Sequence, residues 1–163
     1  MTKTRNLKRR ATDSLLLLTA CAALCSCDHS EQPAYSHFVS VPSSGWNTLD
    51  GKEFHVYDDD SIPRRRYRMV IAVRHNASFP YSRLWLELEQ ADSRGVISTD
   101  TVPVEISTDG IFRGRGRYGL FEVLDTLPDP VTVTDGWQVS VRHISKDQSI
   151  SGLNNIGLIL LDY

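Results

Sequence analysis

The sequence has few cysteines, and their positions argue against a disulfide-stabilised domain. All three, Cys21, Cys25 and Cys27, lie near the start of a chain of 163 residues. If the mature protein begins at Cys27, it has no second cysteine for an intramolecular disulfide. The stability of the domain must then come from packing, for which a chain of this length is sufficient.

The sequence also lacks the common catalytic motifs. Neither G-x-S-x-G nor H-E-x-x-H occurs, and the five histidines are scattered. Gly114, Gly116 and Gly119 match G-x-G-x-x-G, but a short segment ended by prolines follows them instead of a long helix. These glycines therefore favour a bent edge strand or a wide turn. We predict a protein that is not an enzyme, with no metal, no cofactor and no small-molecule substrate.

Long helical periodicity and internal repeats are absent as well, whereas a secretory signal is present. Five basic residues precede the apolar residues 15–24, a stretch too short for a typical membrane span. Two lipobox patterns occur here, one ending at Cys21, inside the apolar stretch, and one ending at Cys27, after it. We favour Cys27 as the lipid-bearing residue, with Cys21 as the alternative, because Cys27 leaves a complete apolar region before it. Residues 1–26 are then a lipoprotein signal peptide, and the lipid attaches the protein to a membrane.

The remaining chain is acidic. The signal segment contains five of the 18 Lys and Arg residues and one of the 20 Asp and Glu residues, so a chain that starts at Cys27 has a formal charge of −6. A net acidic domain is a poor candidate for nucleic-acid binding.

Alternating apolar and polar residues dominate this mature part. The run 67–74 and the run 84–89 each place apolar side chains at every second position, as a half-buried strand does. Turn signals recur at short spacing. We predict an all-β fold, a single antiparallel β-sandwich of Ig-like or jelly-roll-like type over residues 37–163, after a flexible tether at 27–36. Residues 120–127 remain ambiguous between a strand and a short helix.

Two features are candidate partner-binding sites. The loop between the two core strands has Phe79 and Tyr81 on either side of Pro80, and these rings either form a docking surface or cap the core. Arg113, Arg115 and Arg117 alternate as a basic stripe, which either meets an acidic partner or lipid headgroups, or solvates a strand edge.

Carbohydrate binding is the alternative function. Five aromatic residues invite this hypothesis, although aromatic side chains in a sandwich more often belong to the core, and only 9% of the chain is aromatic. They are Trp46, Phe79, Tyr81, Trp85 and Trp137.

Several stretches in order resemble the gliding-motility lipoprotein GldH family. Together they span nearly the whole mature chain. The first is the lipobox with a short tether that leads to Gly45-Trp46, and the others are residues 73–76 (VRHN), 79–86 (FPYSRLWL), 109–116 (DGIFRGRG) and 156–158 (IGL). The resemblance implies a lipid-anchored envelope protein of gliding bacteria and their non-gliding relatives, associated with the gliding apparatus and type IX secretion. It implies no enzymatic activity and no catalytic residues.

From this resemblance we expect a non-enzymatic accessory or structural component of that machinery. Its expected partners are other gliding or secretion lipoproteins. Its expected place is the outer membrane, on the side that faces the periplasm.

Overall fold

The computed structural model describes residues 32–56 and 62–163, and almost every regular element in them is a β-strand. The lipidation candidates Cys27 and Cys21 lie outside the described residues. The strands are β1 Tyr35–Ser40, β2 Trp46–Asn47, β3 Lys52–His55, β4 Arg66–Asn76, β5 Arg83–Asp92, β6 Gly95–Glu105, β7 Ser107–Thr108, β8 Ile111–Phe112, β9 Arg115–Arg117, β10 Leu120–Thr126, β11 Val131–Thr132, β12 Gln138–His143, β13 Ser149–Ile150 and β14 Leu153–Asp162.

Two antiparallel sheets form the body of the domain. The larger has the order β1-β14-β4-β10-β9, with β11 also paired to β4. The smaller has the order β3-β12-β5-β6, and two short ribbons, β2 with β13 and β7 with β8, complete the structure. The strand with Pro103, β6, is an edge strand, which suits a proline because it has no N–H to give to a second neighbour. The prediction of an all-β antiparallel sandwich is confirmed.

The core lies between the inward faces of the two sheets. In β4 the inward side chains include Tyr67, Ile71 and Val73, and in β5 they include Leu84 and Leu86; all five are fully buried. Each set is spaced by two residues, because successive side chains of a strand point to opposite faces. The alternation in the sequence thus predicted the core-facing side of both central strands.

Three local details go beyond the sequence prediction. Residues 120–126 form β10, paired with β4, so this ambiguous segment is a strand. The first strand begins at Tyr35, two residues before the predicted start of the domain. Gly114 has a φ of 83° and lies against the backbone of β10, so only a glycine fits at this bend before β9.

Within the described ranges, no helix is long and apolar enough to cross a membrane.

Candidate partner-binding surface

The loop between β4 and β5 is folded against the core, and Phe79 is its anchor. The Phe79 ring is buried and lies 6.0 Å from the ring of His75. An Asx turn holds the loop, since the Asn76 side chain accepts hydrogen bonds from the backbone N–H and the hydroxyl of Ser78 at 2.8 and 2.6 Å. Phe79 therefore caps the sandwich, whereas the sequence left capping and docking open.

Tyr81 has a different environment from Phe79. Its ring lies edge-on to Phe79 at 5.8 Å and is only partly buried, while its hydroxyl donates a hydrogen bond to the Asp147 carboxylate. That contact links the β4–β5 loop to the segment that follows β12. Tyr81 thus stands at the border between the core and the exposed surface.

A shallow concavity of about 610 Å³ opens beside Tyr81, and we call it the Trp85 surface. Trp85 is 40% exposed, and the guanidinium of Arg83 lies 5.8 Å from the centre of its ring. An exposed Trp beside cationic side chains offers both apolar area and charge, the combination typical of energetically important interface residues. The surface is lined by Pro80, Tyr81, Ser82, Arg83, Trp85, Ser145 and Lys146.

An ion network continues this surface around the edge of the smaller sheet. Glu105 accepts hydrogen bonds from Arg83 at 2.7 Å and from Arg113 at 2.6 Å. Hydrogen bonds from Arg83 and Arg113, in that order, lower the pKa of the Glu105 carboxyl group, with a smaller contribution from their positive charges. Both arginines are thereby held in place, with about half of each side chain exposed to solvent.

A cavity of about 490 Å³ lies next to this network and is lined in part by Glu105, Arg113 and Asp125. Burial raises the pKa of the Asp125 carboxyl group, an effect that Arg113 reduces and Glu105 reinforces. The cavity contains the carboxylates of Glu105 and Asp125, which are fewer than the three ligands that a metal site would need. Across the described residues, no group of three or more His, Cys, Asp and Glu is placed to hold a metal ion.

The predicted basic stripe is divided in two. Arg113 belongs to the network at Glu105, while Arg115 and Arg117 lie on β9, fully on the surface at the edge of the other sheet. The guanidinium of Arg117 lies 5.1 Å from the centre of the Tyr118 ring, and this ring is 93% exposed. Of the three arginines of the stripe, only Arg113 is therefore connected to the Trp85 surface. The connection runs through Glu105 to Arg83, which lines that surface together with Tyr81.

The aromatic residues considered for carbohydrate binding are mostly internal. Trp46 and Trp137 are fully buried, which leaves Trp85 and part of Tyr81 accessible. Trp85 alternates with the core residues Leu84 and Leu86 and so lies on the outward face of β5, but its neighbours Arg83, Glu105 and Lys146 were not identified from the sequence. The alternation in β5 put Arg83 and Trp85 on one face and was the available signal.

The comparisons with known proteins agree with the lipoprotein signal. The family model described as GldH lipoprotein matches residues 33–160, nearly the whole domain. The chain belongs to the GldH lipoprotein family. Membership makes it a lipoprotein, which is anchored in the cell envelope, and the family name carries the gliding-motility context.

No curated protein sequence matches the chain. Among solved structures it is similar to the Eiger TNF from S. frugiperda, with 13% sequence identity and a TM-score of 0.35. That alignment covers 82% of this chain and 90% of the other. A similarity at this level carries no functional inference.

Proposed function

We propose that this GldH-family lipoprotein is a non-enzymatic accessory component of the gliding-motility and type IX secretion machinery. The lipid on Cys27 attaches it to the outer membrane on the periplasmic side, and its folded domain binds other lipoproteins of the machinery. The observation that carries this proposal is the family match over residues 33–160.

The Trp85 surface is the proposed contact with the machinery. It combines an exposed indole with Arg83 and Lys146. Arg83 and Trp85 lie on β5, whereas the other lining residues lie in the β4–β5 loop and in the segment after β12. Side chains held on a strand inside a sheet bind with little loss of conformational entropy. The pairing of Arg83 and Arg113 with Glu105 keeps two cations oriented at its border.

A substitution in living cells tests this function. We expect Trp85→Ser to reduce the recovery of crosslinked partner lipoproteins from intact envelopes and to impair gliding or secretion. The Trp85 side chain is already 40% exposed, so the thermal midpoint of the purified protein should change little. Leu49→Ser is the matched control, because Leu49 is 86% exposed and is not part of the Trp85 surface. Normal partner recovery and normal motility in Trp85→Ser would contradict the proposed contact.

Carbohydrate binding is the second candidate, and the exposed Trp85 ring beside Tyr81 supports it. Sugars stack on accessible aromatic faces, so binding to peptidoglycan fragments or envelope polysaccharides would also depend on Trp85. The two functions separate in a competition experiment. Soluble glycan should displace the retained material in the carbohydrate case and leave crosslinked lipoproteins unaffected in the protein-binding case.

A further inference from the structure

A second groove lies on another side of the sandwich, between edge strand β6 and residues 127–132, which comprise β11 and the connection that leads to it from β10. Its volume is about 510 Å³. Val102 and Pro103 form part of one wall, and Leu127 and Pro128 form part of the other. None of these residues belongs to the Trp85 surface, so the groove is a separate site.

The strand that borders this groove has an open edge. β6 pairs with β5 along its length, and no other strand within residues 32–56 and 62–163 pairs with it. Val96 and Ile97, at its beginning, are 62% and 52% exposed. An open edge presents backbone N–H and C=O groups to which an extended peptide can add as a further strand.

The inward face of the β5–β6 pair changes character at the groove. Val104 is fully buried and Val102 partly buried, but the next residues of β6 on this face are Asp100 and Ser98. Gln90 of β5, opposite Ser98, also lines the groove and is almost fully buried. The face of β6 that packs in the core near Val104 therefore presents polar groups to the groove near the beginning of the strand.

Trp137 forms part of the base of the groove and is fully buried, so the floor of the groove belongs to the core.

The charge of Asp100 determines which occupant the groove accepts. A charge on the core-facing row of side chains and a proline discourage indiscriminate pairing at an edge strand, and β6 has both, in Asp100 and Pro103. Asp100 is exposed and accepts a hydrogen bond from the Ser98 hydroxyl at 3.1 Å, and Asp129 adds a second carboxylate to the lining of the groove. A purely apolar strand would give these carboxylates no cation, whereas a strand with a Lys or Arg would form an ion pair with them.

We propose that this groove binds an extended segment of a partner polypeptide, which adds to β6 as a strand and places a basic side chain against Asp100. The inference deepens the proposed function, since it gives the chemistry of one partner segment. It uses a site that the Trp85 variant leaves intact, so the two proposals fail independently.

The test uses the full-length chain in detergent and synthetic peptides in which Val alternates with Lys or, in a matched set, with Glu. We expect the Lys peptides to bind and to slow hydrogen exchange at the backbone amides of β6. Asp100→Lys should weaken that binding about tenfold, which corresponds to about 1.4 kcal/mol, and should allow the Glu peptides to bind. Glu53→Lys is the matched control on the opposite edge of the same sheet, and it should leave binding unchanged.

N-methylation of the peptide backbone should abolish binding, because it prevents strand pairing. The proposal is overturned if neither peptide set binds, if Asp100→Lys does not exchange the charge preference, or if β6 is instead occupied by a second copy in a concentration-dependent dimer.

Discussion

Of the buried polar and charged residues in the described part of the chain, His75 and His143 are the most completely buried. Each is fully buried and makes one hydrogen bond, from Nδ1 of His75 to the carbonyl oxygen of Asn76 at 3.2 Å and from Nε2 of His143 to that of Trp46 at 2.8 Å. The other ring nitrogen of each has no partner among the described residues. Burial lowers the pKa of both imidazoles and outweighs the hydrogen bonds, so each ring is held neutral.

We therefore predict that the protein loses stability as the medium becomes acidic. Below the ordinary histidine pKa of 6.5 the unfolded chain takes up protons at these positions, while the folded protein takes them up only at lower pH. The free energy of unfolding should fall as the pH drops from 6.5 to the folded-state pKa values. Each histidine contributes a total loss of about 1.4 kcal/mol for every unit by which folding lowers its pKa. Urea melts at about pH 7.5 and about pH 5 measure the loss.

The variant His75→Phe isolates one of these contributions. The His75 ring already lies 5.2 Å from Phe112 and 5.4 Å from Phe121, so a phenyl ring suits the cluster. The loss of stability on acidification should be smaller in this variant, whereas His37→Gln, at an exposed histidine, should leave it unchanged. An acid sensitivity equal to that of the unmodified protein would contradict the role assigned to His75.

At the scale of elements, the strands that the sequence predicted best are those with long, regular alternation. His75 is in phase with the core residues of β4, and His143 is in phase with Val139 and Val141 of β12, so the alternation of each strand extends to a buried histidine. The ambiguity over β10 arose because a strand of seven residues next to prolines has too few positions to distinguish the two periods.

The candidate surface was harder to predict than the strands that support it. Tyr81 and Lys146 are far apart in sequence and meet because β12 pairs with β5, which no local pattern encodes. The division of the basic stripe depends on Gly114, whose left-handed backbone separates Arg113 from Arg115. The composition of the surface thus depends on long-range strand pairing and on the backbone conformation of single residues, neither of which can be inferred from sequence periodicity.

The loop of Phe79 and Tyr81 gives an element-scale prediction. Phe79→Ala should lower the free energy of unfolding by about 3 kcal/mol, because it leaves a cavity in the cap of the core. Tyr81→Phe should change stability far less, since it removes only the exposed hydrogen bond to Asp147. Chemical denaturation of both variants measures the difference, and equal losses would argue against separate roles for the two rings.

The turn before β14 supports the same loop. Gly152 has a φ of 83°, and a Cβ atom there would lie 2.4 Å from the backbone nitrogen of Phe79. Gly152→Ala should therefore destabilise the domain by at least about 1–3 kcal/mol, through both strain and displacement of the loop. Gly95→Ala is the control, because Gly95 also has positive φ but has open space around its Cα. A thermal melt in which the two variants behave alike would indicate that the loop yields easily.

At the scale of the whole molecule, the lipid determines where the domain works. We predict that Cys27→Ala moves the protein from the membrane fraction to the soluble periplasmic fraction, because acyl chains contribute about 0.8 kcal/mol for each buried CH₂ group. Cell fractionation and immunoblotting measure the change. Mass spectrometry of the mature chain provides the control, and an N-terminus at Cys21 would assign the lipid to that residue.

The pairing of β1 has a mechanical consequence for the function proposed above. β1 is an edge strand that enters the sheet at Tyr35 and pairs with β14 from Tyr35 opposite Leu160 to Ser40 opposite Asn155. Tension between a lipid on Cys27 and a partner on the domain would reach the fold through this strand. A pull along the strand axis loads its transverse hydrogen bonds together, whereas a pull across the sheet opens them one after another from Tyr35. The domain should therefore resist the first direction of force far better than the second.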